Sequence, residues 1–351
     1  MSQTIHIGNQ IIGSRQRPFI IAELSGNHQQ NYQLAEQMIE SAAQSGAHAI
    51  KLQTYTPDTM TLDINSQDFM VTERDSLWQG ESLYSLYSKA ATPWEWHEPL
   101  FAKARSLGLL AFSSPFDASA VDFLENLDVP CYKIASFENT DLPLIKKVAQ
   151  TGKPLIVSTG MASEQEIEEL LSTISDSGNR QVVLLKCTSN YPADASDCNL
   201  LTLKDMQKKF GTLVGLSDHT RGNSVALAAV ALGCCVIEKH FVLDRQAGGV
   251  DAEFSLEPDE LKQLVQETET VWRAMGKVQY GGSDNEQMSK KYRRSVYCSQ
   301  DIKAGECLSE QNIRVVRPGF GLPPKHYQQL LGKTAGQDIA RGTPISWELL
   351  Q

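Results

Sequence analysis

Between Pro18 and Met275 a short apolar run is followed eight times by a stretch of helical period. That alternation restricts the fold more than any other feature of the chain. The apolar runs cover 19–24, 49–53, 109–114, 131–136, 155–159, 182–187, 213–217 and 234–241. Helices are expected near 31–45, 93–107, 117–127, 141–151, 163–177, 200–210, 222–232 and 257–276. Start signals support them: Asp141 before Leu-Pro, Ser163 with Glu166 as a capping box, and Glu257-Pro258. Gly46, Gly108, Gly152, Gly211 and Gly233 supply the stops. Strand–helix repetition of this kind over roughly 250 residues predicts a (β/α)8 TIM barrel. A doubly wound sheet is the rival, and the Gly-rich dinucleotide loop it carries after its first strand is missing.

The flanks differ in character. Ile5 to Ile12 reads as a hairpin around a Gly-Asn turn, so 1–17 is an N-terminal extension and 18–277 the barrel. Residues 278–291 are polar and Gly-rich, which marks a linker. The remaining 292–351 has short alternating strands and tight turns, a small, mainly β second domain. One insertion, Tyr55 to Thr92, is long for a barrel loop and carries Trp78, Tyr84 and Tyr87. Its length suggests a lid over the C-terminal face.

The chain's net charge of −10 and the lack of any basic run beyond Lys290–Arg294 exclude a nucleic-acid partner. No apolar run approaches the roughly 18 residues of a membrane span, and the first residues have no signal-peptide pattern. The 7 cysteines include no CxxC pair and suit a reducing compartment, so the cytoplasm is the expected location.

In a barrel the chemistry sits at the C-terminal strand ends. Those ends read Glu23, Lys51 with Gln53, Ser113 with Ser114, Lys133 with Ser136, Ser158 with Thr159, Lys186 with Ser189 and Tyr191, Ser217 with His219, and Glu238 with His240. Strand side chains alternate between faces, so Lys51 and Gln53 share one face, as do Glu238 and His240. A carboxylate and an imidazole ending an apolar strand are costly to bury unless paired or metal-bound. One such strand is compatible with a satisfied core histidine; the recurrence on nearly every strand points to a site. His219 and His240 end neighbouring strands, and two imidazoles completed by water and substrate oxygens suit a divalent ion. Lys51, Lys133 and Lys186 beside the rim serines make an anion site, most simply for phosphate, without a P-loop. A Schiff-base role for Lys133 or Lys186 stays open at this point. Glu23 and Glu238 are placed to move protons or to pair with those lysines.

These segments resemble the sialic acid synthase family. The resemblance is carried by Phe19-Ile-Ile-Ala-Glu-Leu-Ser-Gly-Asn-His28, Ala49–Pro57, Phe112-Ser-Ser-Pro-Phe116, Tyr132-Lys-Ile-Ala-Ser136, Lys186-Cys-Thr-Ser-Asn-Tyr-Pro192, Gly215-Leu-Ser-Asp-His219 and Val236–His240. The tail, notably Arg314–Pro324, is similar to the family's antifreeze-like domain. The resemblance implies a metal-dependent condensation of phosphoenolpyruvate with an N-acetylated open-chain amino-hexose, releasing phosphate. It assigns the metal, Mn²⁺ first with Mg²⁺ or Co²⁺ as alternatives, to His219 and His240. It gives phosphoenolpyruvate to Lys51, Ser114, Lys133, Ser136 and Ser217, with Ser158 and Ser189 beside them, and the sugar to Gln53, Tyr191 and Asp251. Glu23 and Glu238 become the proton-transfer groups. Arg317 matches the residue that reaches the partner subunit's site in the family's domain-swapped homodimer. The segments 92–97, 53–57 and 317–322 are most similar to the branch using 2,4-diacetamido-2,4,6-trideoxy-L-altrose. The N-acetylneuraminate branch typically has Asn two residues before the Tyr of the Cys-Thr motif; here Ser189 stands there, which points away from N-acetylmannosamine.

Overall fold

In the computed structural model, which describes residues 4–72 and 77–351, the chain divides into two compact units, Met1–Gly276 and Lys277–Gln351. The first opens with the hairpin β1 (Thr4–Ile7) and β2 (Gln10–Gly13). Eight parallel strands then close into a barrel: β3 (Phe19–Glu23), β4 (Ala49–Thr54), β5 (Leu110–Pro115), β6 (Tyr132–Ile134), β7 (Leu155–Ser158), β8 (Val182–Cys187), β9 (Leu213–Asp218) and β10 (Val236–His240). The closing pair is β10 against β3. Around them lie α1 (Tyr32–Gln44), α2 (His97–Ser106), α3 (Ala118–Asn126), α4 (Leu142–Gln150), α5 (Glu164–Asp176), α6 (Thr202–Phe210), α7 (Ser224–Ala231) and α8 (Pro258–Met275).

The start signals act as the sequence suggests. Ser163 and Glu166 form a reciprocal capping box at α5, and Asp141 accepts from the Leu144 N–H at α4. Each strand is apolar on both faces because helices cover the outside and neighbouring strands fill the inside. Ile20, Ile21, Ile50, Phe112, Ile156, Leu184 and Ile237 are accordingly buried in one continuous core. Gly215 sits inside this packing: a Cβ there would lie 2.5 Å from Leu185 Cδ2 and 2.6 Å from the Val236 carbonyl oxygen.

The insertion after β4 is partly helical, with short helices at Pro57–Met60 and Leu83–Ala90. Its far end is pinned to the barrel by two buried histidines. His97 Nδ1 donates to the Pro93 carbonyl oxygen at 3.2 Å, which leaves Nε2 to accept from Thr54 Oγ1 at 2.8 Å. His28 Nδ1 accepts from the Gln30 N–H at 3.2 Å, so Nε2 donates to Thr92 Oγ1 at 3.0 Å. Both rings are therefore held neutral, and burial lowers each from 6.5 to about 4. Below pH 6.5 the unfolded chain takes up protons that the folded one refuses, so stability present above pH 6.5 is lost as pH falls toward 4. The expected loss is about 3 kcal/mol per histidine by pH 4. Urea unfolding at pH 7 and pH 4.5 measures it, and His28→Gln/His97→Gln should flatten the slope.

In the second unit, β11 (Ser295–Cys298) pairs antiparallel with β12 (Ile313–Val316) over a small core of Val296, Ile302, Leu308, Ile313, Ile339 and Ile345. The polar segment before it is not bare linker: it contains helical turns at Asp284–Gln287 and Met288–Tyr292.

Candidate active site

A cavity of about 490 Å³ opens at the C-terminal ends of the strands. Twelve of the residues expected at the site line it. They are Lys51 and Gln53 from β4, Lys133 and Ser136 around β6, Ser158 from β7, Ser189 and Tyr191 after β8, Ser217 and His219 around β9, Glu238 and His240 from β10, and Asp251. Glu23 and Ser114 lie just beneath, as partners of Lys51. Arg317 is exposed in the second unit. Lys186 does not reach the cavity. Alternation on β8 turns Cys187 inward and Lys186 outward, where its Nζ donates to the Cys187 carbonyl oxygen at 3.0 Å. That removes Lys186 from both the anion site and the Schiff-base reading.

Strand register explains the charged floor. Glu23 pairs with Lys51 on one side and His240 on the other, while Glu238 pairs with Ser217. Their side chains meet: Lys51 Nζ is 2.5 Å from Glu23 Oε2 and 3.5 Å from Glu238 Oε2, and it donates to Ser114 Oγ at 3.3 Å. Lys133 Nζ donates to Ser158 Oγ at 2.7 Å and the Ile134 carbonyl at 3.1 Å, and lies 3.6 Å from Glu238 Oε1. Glu238 also accepts from Ser217 Oγ at 2.9 Å. All four ionisable groups are at most 4% exposed.

Their protonation follows from burial and pairing. Burial pushes Glu23 up to about 7, a rise that the Lys51 ammonium only partly offsets. Burial acts the same way on Glu238, but Lys133 and Lys51 outweigh it and hold that carboxyl below its ordinary value. Burial would depress Lys51, and Glu23 and Glu238 reverse the effect. Lys133 is drawn below the ordinary lysine range by burial. At neutral pH the floor thus holds a fixed carboxylate, a fixed ammonium and a carboxyl poised to exchange a proton.

The outward faces of the same strands lock these ends in place. Lys239 Nζ, completely enclosed, donates to Asp218 Oδ2 at 2.9 Å and to the Thr220 and Gly222 carbonyls at 2.6 and 2.8 Å. Asp218 and Lys239 therefore fix the segments that present His219 and His240 inward. Above β7, Gly160 brings its N–H to Ser136 Oγ at 3.2 Å, and a Cβ at that position would lie 2.2 Å from Ser189 Oγ. Only glycine lets Ser136 and Ser189 stand this close to one another's loops.

The two histidine rings face each other across 5.3 Å between centroids. His219 Nδ1 donates to the Thr188 carbonyl oxygen at 2.8 Å. Cys187 Sγ is 3.9 Å from the same nitrogen; burial would raise this thiol, but the His219 ring outweighs it and draws it down to about 7, while Cys187 and the Thr188 carbonyl lift His219 above the ordinary histidine value against its own burial. His240 Nδ1 lies 3.3 Å from Ser25 Oγ and 3.6 Å from Asp251 Oδ2. Burial, aided by the positive charge of its neighbours, holds His240 well below the ordinary histidine value. The Thr188 carbonyl fixes the proton on His219 Nδ1 and leaves its Nε2 as the lone-pair nitrogen, and Ser25 and Asp251 meet His240 Nδ1 from behind, the side on which a metal-ligating histidine is supported. Among the described residues no three His, Cys, Asp or Glu side chains form a closed cage. Two imidazoles that line one cavity with their Nδ1 atoms engaged fit an ion held at two positions and completed by water and substrate oxygens.

Two lining residues carry chemistry that the strand-end reading passed over. Cys187 is one. The other is Glu138, on the 3₁₀ turn Ser136–Glu138, whose buried Oε2 has no hydrogen-bond partner among the described residues and whose carboxyl burial pushes up to about 7.

A barrel whose strand ends bury two carboxylates, two lysines and a ring of serines beside paired imidazoles is that of an enzyme acting on an anion. Comparison with known proteins makes this specific. The NeuB family model matches residues 38–280, and the SAF domain model matches 293–351. The pseudaminic acid synthase of Campylobacter jejuni subsp. jejuni serotype O:2 is 44% identical over 341 residues, covering 97% of this chain and 98% of that protein. The N,N'-diacetyllegionaminic acid synthase of the same strain is 38% identical, covering 91% and 96%. Among solved structures, the N-acetylneuraminic acid synthetase of Leptospira borgpetersenii superposes with a TM-score of 0.74 at 33% identity, covering 82% of this chain and 95% of that one. The chain belongs to the NeuB family.

Proposed function

We propose that this chain is a pseudaminic acid synthase, a transferase that joins phosphoenolpyruvate to 2,4-diacetamido-2,4,6-trideoxy-L-altrose and water, giving pseudaminic acid and phosphate. The observation that carries the reading is the buried Glu23–Lys51–Glu238–Lys133 floor beside His219 and His240 in one cavity. The 42% to 44% identity to pseudaminic acid synthases over nearly the whole chain supports the choice of branch.

Lys51, Lys133, Ser136, Ser158, Ser189 and Ser217 bind the phosphate and carboxylate of phosphoenolpyruvate. Gln53, Tyr191 and Asp251 orient the open-chain sugar so that its aldehyde carbon meets C3 of phosphoenolpyruvate. The new bond forms between those carbons, water adds at C2, and the C2–O bond to phosphate breaks. Three proton movements accompany this: one onto the former aldehyde oxygen, one off the attacking water, and one off the resulting C2 hydroxyl, passed to the departing phosphate as the keto group forms. Glu23, held near 7, is the group suited to carry a proton, while Glu238 stays ionised and fixes both lysines. His219 and His240 would hold a divalent ion, Mn²⁺ in our reading, whose chemistry is Lewis acidity at a carbonyl oxygen. A homodimer in which Arg317 reaches the partner's sugar site completes the proposal. The unpaired state of all 7 cysteines fits a cytoplasmic location.

The test is phosphate release from phosphoenolpyruvate, with Mn²⁺ or EDTA, offering each hexose alone. Release only with metal and the 6-deoxy diacetamido-altrose is expected. Release with N-acetylmannosamine or the legionaminate precursor instead moves the protein to another branch. Activity in EDTA with borohydride trapping of Lys133 would establish a Schiff-base aldolase.

A further inference from the structure

The cavity has a second chemical half that the condensation itself does not use. The short helix Leu83–Ala90 of the insertion, capped by Ser82 accepting from the Ser85 N–H at 3.1 Å, turns Leu83, Leu86, Tyr87 and Ala90 into the cavity. These are positions i, i+3, i+4 and i+7, a single helical face, and Ser88 and Lys89 on the other face are exposed. Met60 and Val71 extend the same wall. Tyr55 braces it from the barrel side, edge-to-face with Tyr87 at 5.9 Å and with Phe116 at 5.1 Å. Among the described residues, no side chain that the insertion sends to the cavity is charged. Every charged or imidazole group in the lining comes from the barrel strands and the loops that follow them.

Apart from the Tyr87 hydroxyl, Leu83, Leu86, Ala90 and Met60 offer side chains with no strong hydrogen-bonding group, so a sugar hydroxyl against them goes unsatisfied while a methyl group is favoured. We propose that this wall, centred on Leu83, Leu86 and Tyr87 with Met60 beside them, is the specificity-determining seat for the apolar substituents of the sugar. It receives the C6 methyl and an acetamido methyl, and it selects 6-deoxy acetamido-hexoses over their hydroxylated counterparts. The inference rests on the synthase reading and deepens it by assigning the part of the cavity that reads the sugar's far end.

The discrimination expected of an apolar seat against one added hydroxyl is about 100-fold in kcat/KM. The experiment compares the 6-deoxy sugar with its 6-hydroxy counterpart in the full-length wild type, Leu83→Asn and Met60→Gln. Calorimetric binding of the two corresponding reduced alditols, with phosphoenolpyruvate present, is measured alongside. Wild type should favour the deoxy form about 100-fold by both readouts, and the ratio should fall below about 10 in either variant with the KM for phosphoenolpyruvate within about twofold. Phosphate release with a wild-type ratio near one, or a ratio unchanged in both variants, overturns the seat and leaves the synthase reading standing. No phosphate release and no alditol binding overturns the synthase reading, and the seat with it.

Discussion

Lys51→Met is expected to cost at least about a thousandfold in turnover and roughly 3–5 kcal/mol in folding stability. Lys51 is 4% exposed and its ammonium stands between Glu23 and Glu238, at 2.5 and 3.5 Å. Methionine fills most of the volume and deletes the charge, so the loss is electrostatic and leaves little cavity behind. Glu238 keeps Lys133 at 3.6 Å, whereas Glu23 is left with the Ser25 N–H at 3.1 Å as its stabilising contact. An uncompensated carboxylate in such a place takes up a proton. The deficit should therefore shrink as pH falls toward 5, because a protonated Glu23 no longer needs the cation. Lys51→Met/Glu23→Gln should recover part of the stability and none of the activity. Urea unfolding of the four species at pH 7.5, with phosphate release on the same samples, makes the comparison a double-mutant cycle. Additive stability losses would show that the buried pair does not act as a unit.

Much of this arrangement was legible in the chain, for a physical reason. A parallel barrel strand must be apolar wherever helices and neighbouring strands enclose it, so ionisable residues survive only at its open end. Glu23, Lys51, Lys133, Glu238 and His240 stand out on that ground alone, and the helix caps at Asp141 and Ser163 mark the intervening elements. What the pattern hides is orientation where a strand stops. Lys186 and Cys187 are adjacent, and the more conspicuous lysine faces away while the thiol faces in. Glu138 enters by a 3₁₀ turn two residues past Ser136, where a strand's two-residue period no longer holds. Lys239 shows the converse: it lies between two site residues in sequence, yet it serves from outside the barrel by tying Asp218 and the Thr220 and Gly222 carbonyls together. The insertion is the least legible part. Its cavity-facing residues form a pattern only once Leu83–Ala90 is known to be a helix.

The second large effect concerns the two imidazoles that we propose hold the metal. His219→Asn keeps a donor near the Nδ1 position for the Thr188 carbonyl and deletes the ligand nitrogen; His240→Asn does the same opposite Ser25 and Asp251. Each is expected to weaken Mn²⁺ binding by at least about 100-fold and to lower turnover by about a thousandfold. Asp251→Asn leaves both imidazoles in place and perturbs His240 only from behind, so its effect on affinity should be milder, about 10-fold. A structural role for the rings predicts a different ordering. The 5.3 Å His219–His240 contact lies inside the Tyr191 and Phe254 cluster, at 4.5 Å from His219 and 4.9 Å from His240, and merely packed rings would lose stability with no change in ion affinity. Calorimetric Mn²⁺ titration beside urea unfolding separates the two. Affinity falling steeply for both histidine variants, less for Asp251→Asn, with unfolding midpoints close to wild type, assigns the rings to the metal. Unchanged affinity in both histidine variants would place the ion's site elsewhere in the chain.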